Sequence, residues 1–446
     1  MKKNDIIEVE ITDIGASGEG ISHLDGFTVF VPFALTGEQC KVHVLKVKDN
    51  LVWAKLVETI KENEKRCDPK CKFYKKCGGC VLEHVSSEYE LEIKKQKIQT
   101  AFKKYAGMND LPVLMVDSNK RYGYRNKCAF PVRMVNGRAK VCMFRYNTHT
   151  AVEIDRCEIA EEEINTVVSI FNNFLEKHNI TAYDEQTNSG LVKFIVIRVI
   201  SGVPLITVVI NGKDVPNKKD LITALSAKFK SFGLNFNINK KMTNVILTDE
   251  IIHVYGEKEL SAFEFGIHYP ISSLSFMQVN NFIKTEIYNR VLDKVFVGDT
   301  VIDAYSGAGL LSAIIAKKAK KVYGIEIIKA ATNDANELAK LNNINNLINI
   351  NGDCAVELPK LCSELDLKST KVVLDPPRKG CDQKVIDTII SSKIEEIIYI
   401  SCNPATLARD SKILLDNGFK IFEVIGFNMF PNTEHVETLI TFIKGG

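Results

Sequence analysis

The stretch "VIDAYSGAGLLSAIIA", residues 301 to 316, runs an apolar strand into Asp303, turns through Gly307 and Gly309, and then resumes apolar residues at helical spacing. Glycines in such a turn let the backbone pass close to a ligand, and a carboxylate about 20 residues further on is placed to take ribose hydroxyls. Glu326, which ends "KVYGIE", stands at that offset. Two ligands compete for the site, a dinucleotide and S-adenosylmethionine. The third glycine of a pyrophosphate-binding turn is Ser312 here, and adenosylmethionine has no pyrophosphate to cradle, so the methyl donor is favoured.

From about residue 280 the chain alternates strands and helices: "TVIDAYSG", "GLLSAIIAKKA", "KVYGIE", "IKAATNDANELAKLNNI", "INING", "KVVLD", "VIDTIISS", "IEEIIYIS". That rhythm predicts a parallel, doubly wound sheet, whose ligands bind at the carboxyl ends of the strands. Asp353 in "INGDC" falls at one such end, near an adenine or simply capping a loop. In "VVLDPPRKG" Asp375 ends a buried strand and two prolines lock the chain beyond it; the alternative is a rigid turn. In "IIYISCNPATLARD", residues 397 to 410, Cys402 ends the next strand, with Asn403 and Pro404 stopping the chain. A thiol and a carboxylate from neighbouring strand ends make a catalytic arrangement beside the methyl donor.

Upstream, residues 1 to 60 read as short alternating strands with glycine turns, the pattern of a small OB-like β-barrel that binds oligonucleotides or serves as an adaptor. Residues 61 to 275 open with a cysteine-rich basic loop and continue as an α+β middle region; residues 276 to 446 form the α/β domain. At 446 residues, with 45% hydrophobic and 25% charged, the chain is a folded globular protein. It lacks a signal-peptide stretch and any run of about 18 apolar residues, which predicts a cytoplasmic protein without a membrane span. Its twelve cysteines are expected as free thiols rather than a disulfide framework.

Three of those cysteines stand in "CKFYKKCGGC": Cys71, Cys77 and Cys80. Thiolates at this spacing are ligands for iron-sulfur clusters and zinc, and a fourth is required. Cys67 is the nearest. The net charge of +3 is small, but Ser118 to Val152 contains no acid and eight cations: Lys120, Arg121, Arg125, Lys127, Arg133, Arg138, Lys140 and Arg145. Tyr122, Tyr124, Phe130, Phe144 and Tyr146 interleave with them. Cations for phosphates and rings for splayed bases predict a single-stranded RNA surface, against the plainer reading of a solvated sheet face with core aromatics.

These residues together resemble the RNA (uracil-5-)-methyltransferases, the 5-methyluridine family. "SFMQVN", "DAYSGAGLLS", "GIE", "LDPPRKG", "YISCNPATLARD" and "MFPNTEHVETL" follow that family's motifs in order. The resemblance implies a class I methyltransferase domain, an N-terminal TRAM domain, and adenosylmethionine contacts from Gln278, Tyr305, Glu326, Asp353 and Asp375. It implies Cys402 as the nucleophile that adds to uracil C6, making C5 nucleophilic, and Glu437 as the base that removes the C5 proton. The target uridine must leave its stack to reach the thiol. It implies Cys157 as the fourth ligand of a 4Fe-4S cluster with Cys71, Cys77 and Cys80, zinc being the runner-up and Cys67 surplus. Members with both barrel and cluster act mostly on 23S ribosomal RNA, which is the expected partner of a monomeric enzyme; a transfer RNA T-loop enzyme and a non-catalytic iron-sulfur RNA-binding protein are the alternatives. Two positions depart from the pattern: Asn428, where the family usually carries Asp, and Leu310, where some members have a polar residue.

Overall fold

The computed structural model describes Met1 to Gly445. The first strands, Ile6–Glu10 through Leu51–Lys61, form a six-stranded sheet. Alternating residues, among them Val29, Val31, Cys40, Val42, Val44 and Val52, fill its interior, as period-two patterning requires. Cys40 is thereby a core residue. Arg66, just beyond the sheet, is tied back to the buried Glu38 through Nε at 2.6 Å and Nη2 at 2.8 Å.

The middle region is a seven-stranded mixed sheet running from Ala151–Glu153 to Ile251–Gly256. Helices Glu162–Lys177 and Lys218–Ser226 cover one face, where Cys128, Phe130, Ile195 and Ile197 meet Val168, Phe171 and Leu221.

The third sheet has eight strands. Leu347–Asn351, Lys321–Glu326, Thr300–Ala304, Thr370–Leu374 and Glu396–Ser401 are parallel in that spatial order. Glu437–Lys444 then pairs antiparallel with Glu396–Ser401, followed by Phe419–Phe427 and Leu114–Val116. The doubly wound α/β sheet is as the alternating pattern predicts. Residues 87 to 116 lie inside the expected middle segment, yet helix Ser87–Ala106 puts Ile98 and Phe102 into the same core as Ile302, Leu374 and Tyr399, and Leu114–Val116 extends the catalytic sheet. Sequence distance hid this, because an edge strand three residues long carries no periodicity. No helix among the described residues is long and apolar enough to cross a membrane.

Candidate active site

One cavity of about 800 Å³ opens at the carboxyl edge of the third sheet. Gln278, Tyr305, Asp375, Cys402 and Glu437 all line it, together with Asp303, Tyr288, Arg378 and His435. Parallel strands bring Asp303, Asp375 and Cys402 there, since each directly ends or follows a strand. Glu437 arrives by a different route. Its strand runs antiparallel, with Thr438 opposite Ser401, so the start of that strand lies at the same edge as the ends of the others.

The local chain holds Cys402 in place. Asn403 caps helix Pro404–Asp416 by accepting from Ala405 N at 3.1 Å, and its Nδ2 donates to the Arg378 carbonyl at 3.0 Å. The Cys402 loop and the Asp375-Pro-Pro-Arg378 loop are thus joined. Burial raises the Cys402 thiol, the charge of Glu437 raises it further, and Arg378 pulls it back.

The cavity is lined by acids, with Asp303, Asp375 and Glu437 on its wall. Burial pushes Asp375 up to about 7, and Asp303 to about 7 as well, although Ser312 Oγ donates to Asp303 Oδ2 at 2.5 Å. The serine that replaces the third glycine therefore secures a carboxylate. Burial, then the charge of Asp375, pushes Glu437 up to about 8, against the pull of Arg378. Three carboxyls that resist simultaneous ionisation are complementary to a bound cation, as a sulfonium with an α-ammonium group is.

The glycine turn is shaped for close approach. A Cβ on Gly309 would come within 2.6 Å of the Ala335 Cβ. Tyr305 holds a left-handed φ of 69°, unusual for an aromatic residue, at the wall of the cavity. Glu326 lies outside the lining and accepts Gly307 N at 2.9 Å and Ile328 N at 2.7 Å, so it braces the turn. Asp353 is exposed and caps its helix through Ala355 N at 2.9 Å. Asp303 was read from sequence as a strand end but not as a site residue, and Arg378 was not singled out; its signal was its position just past the prolines.

A second, small cavity of about 30 Å³ is lined by Cys71, Cys77, Cys80 and Cys157 with Phe73, Glu83 and Met143. Burial raises the first three thiols, and the charge of Cys157 raises each further. The Cys157 thiol is pulled down to about 7, chiefly by a hydrogen bond from Cys128. Gly78 fits against the end of the middle sheet so closely that a Cβ would lie 2.5 Å from Tyr146 N. Four sulfur donors around one small cavity, beside the unpartnered Oε2 of buried Glu83, fit a thiolate-held metal centre in donor chemistry. As oriented, no group of three or more His, Cys, Asp or Glu side chains stands in metal-holding geometry among the described residues. Cys67 lies outside that cavity, its thiol donating to the Glu83 carbonyl at 3.6 Å.

The basic stretch divides. Tyr124 and Phe130 are core, contrary to their expected role as stacking platforms: strand alternation turns Phe130 inward, and Tyr124, ahead of the strand, donates its hydroxyl to the Pro431 carbonyl at 3.0 Å. Arg133 pairs with Glu185, and Arg138 and Lys140 with Glu176. Phe144 and Tyr146 line an open groove with Phe194, Tyr183 and Lys193, and His435 borders both this groove and the catalytic cavity.

Parallel sheet, glycine turn and acid-lined cavity define an α/β methyltransferase fold. Residues 86–444 match the family model described as tRNA (Uracil-5-)-methyltransferase, and residues 2–57 match the TRAM domain. The chain belongs to this family of S-adenosylmethionine-dependent uracil-5 RNA methyltransferases. An uncharacterized RNA methyltransferase of Bacillus cereus is 38% identical over 98% of this chain and 96% of that protein. One of Clostridium acetobutylicum is 37% identical over 99% and 97%. Among solved structures, the Pyrococcus abyssi tRNA (uracil-54, C5)-methyltransferase in complex with S-adenosyl-L-homocysteine shares the fold, with TM-score 0.79 and 24% identity over 98% of this chain and 99% of that one.

Proposed function

We propose that the protein methylates C5 of a uridine in 23S ribosomal RNA through a covalent adduct at Cys402. The observation that carries the reading is the meeting of Cys402, Glu437, Asp375 and Arg378 in one cavity. Bound S-adenosylmethionine supplies an electrophilic methyl group. The Cys402 thiolate adds to C6 of the uracil, forming an S–C6 bond and moving the electron pair of the C5–C6 double bond toward O4. C5 is then nucleophilic and takes the methyl, the sulfonium–methyl bond breaking so that the donor would leave as the neutral thioether S-adenosylhomocysteine. Glu437, unprotonated, removes the C5 proton; the released pair re-forms C5–C6 and expels the thiolate. Arg378, which favours the ionised forms of both Cys402 and Glu437, supports both steps. Gln278, Tyr305 and Asp375 hold the donor from the cavity wall, with Glu326 and Asp353 acting around the turn and the adenine end.

Cys402→Ala is expected to give no covalent complex with RNA containing 5-fluorouridine, read on a denaturing gel. Glu437→Gln is expected to transfer the methyl and remain attached. A Cys402→Ala protein that still methylates overturns the mechanism.

Cys71, Cys77, Cys80 and Cys157 are proposed as ligands of a 4Fe-4S cluster, with zinc as the alternative; its role is to fasten the loop to the middle sheet, since methyl transfer moves no net electrons. Iron and sulfide near four per chain after anaerobic purification, with a brown colour, are expected on that ligand set; zinc in a colourless protein reverses the assignment. The family description favours a second substrate, transfer RNA. Mapping 5-methyluridine in both RNAs from a strain lacking the gene decides between them, with loss from 23S RNA expected.

A further inference from the structure

Three cations, Arg125, Lys127 and Arg198, stand together beside the catalytic cavity, which Arg125 lines, and none of them forms an ion pair with a carboxylate among the described residues. Lys127 and Arg198 are register partners across antiparallel strands Lys127–Val135 and Val192–Ile200, so their side chains rise next to each other from one face. That face is the one turned away from the helices, because the alternate residues Cys128, Phe130, Ile195 and Ile197 enter the helix-covered core. Arg125 lines the catalytic cavity and donates through Nε to the Lys127 carbonyl at 2.9 Å. Arg198 is only 2% exposed. Its Nη2 donates to the Ser275 carbonyl at 2.5 Å, while Nη1 is buried with no partner.

Among the described residues no ion pair to a carboxylate offsets this charge, and the acid that Arg125 favours in its ionised form is the Cys157 thiol, away from Lys127 and Arg198. Burial, then Arg198 and Arg125, lowers the Lys127 ammonium to about 8, and burial lowers Arg198 to about 10. Buried cations are held at a cost unless an anion accompanies them.

We propose that Arg125, Lys127 and Arg198 form an anion site at the wall of the catalytic cavity that takes a backbone phosphate of the RNA beside the target uridine. Two anions reach this cavity, the RNA phosphate and the carboxylate of the methyl donor. The location favours phosphate. The cations belong to the middle sheet, not to the glycine turn, and the same face continues through Ala129, Pro131 and Phe194 into the groove that holds Phe144 and Tyr146. A strand leaving the cavity over Lys127 meets aromatic faces next, which suits a polyanion carrying bases.

The inference rests on the RNA methyltransferase reading, and its test separates the two. In the full-length protein, Lys127→Gln removes a charge with no side-chain hydrogen bond. Binding of a fluorescein-labelled oligouridylate is measured by anisotropy across a salt series, and adenosylhomocysteine binding by calorimetry. Expected are an approximately tenfold weaker oligouridylate affinity and a salt slope smaller by about 1, with adenosylhomocysteine affinity unchanged. Arg198→Lys is measured alongside: it keeps the charge and loses the fork, so it is expected to weaken oligouridylate binding while keeping the slope. An unchanged slope in Lys127→Gln, or a loss of adenosylhomocysteine binding in place of RNA binding, overturns the site. If Lys127→Gln does not fold, unchanged oligouridylate affinity in Arg198→Lys overturns it. A wild-type protein that forms the Cys402 adduct while these variants bind RNA normally sinks this site alone; no adduct on any RNA sinks the wider reading.

Discussion

Glu437 shows how a single carboxyl is tuned for proton removal. It is buried beside Asp375 and faces Arg378, and the balance holds it near 8, so at neutral pH most of it is protonated until the ligands enter. The rate at which the methylated adduct resolves in a single turnover is therefore expected to rise with pH up to about 8, as Glu437 ionises; a release rate flat from pH 6 to 9 would exclude Glu437 as the base. Stability carries the opposite sign. A carboxyl whose folded pKa is raised takes up protons on folding, so between about 4.5 and about 8 the ligand-free protein loses stability as pH rises. Glu437→Gln is expected to raise the melting temperature at pH 8 relative to wild type and to leave it near wild type at pH 5, read by scanning calorimetry. The strand-end positions of Cys402 and Asp375 were legible in the sequence because an apolar run that stops at a proline-marked turn is a local signal, whereas their roles came with the motifs. Glu437 was legible only through its motif, since an acid opening an edge strand has no signal of its own.

At the scale of elements, the loop that delivers Glu437 is held by a helix far away in sequence. Lys94, fully buried on helix Ser87–Ala106, donates to Glu90 Oε1 at 2.7 Å, to Asn428 Oδ1 at 2.6 Å and to the Phe430 carbonyl at 3.0 Å. Glu90 Oε1 also accepts Asn432 N at 2.9 Å. Asn428, the departure from the family pattern, has a local reason: its Nδ2 donates to Asp117 Oδ1 at 2.8 Å while its oxygen accepts from Lys94. An amide serves both neighbours, whereas an aspartate would face Asp117 with like charge. Lys94→Met leaves buried Glu90 with only Asn432 N and the more distant Arg121 Nη2 at 3.8 Å, an expected loss of about 3 kcal/mol in chemical denaturation, and a fall in kcat larger than any change in adenosylmethionine affinity. Glu90→Leu with Lys94→Met is expected to recover much of the stability. Equal costs for the single and double variants would show that the pair does not anchor the loop.

Across the whole molecule, the cysteine-rich loop is fastened on two sides. Arg66 grips Glu38 and the Phe33 carbonyl of the N-terminal sheet, and Gly78 N donates to the Phe144 carbonyl of the middle sheet at 2.9 Å. Arg66→Leu strands the fully buried Glu38 carboxylate, so proteolysis between the N-terminal sheet and the loop is expected to accelerate, with adenosylhomocysteine binding unaltered. Unchanged cleavage would mean that the domains are held by other contacts.

By itself the sequence determined the alternation of strands and helices, the free thiols, and the strand-end positions of Asp303, Asp375 and Cys402, because period and turn chemistry are local properties. Only the tertiary structure decided that an antiparallel strand carries Glu437 to Cys402, that residues 87 to 116 join the catalytic sheet, and that Tyr124 and Phe130 point inward while Lys127 and Arg198 share a face. Those outcomes depend on strand order and register between segments up to hundreds of residues apart, which no local pattern encodes.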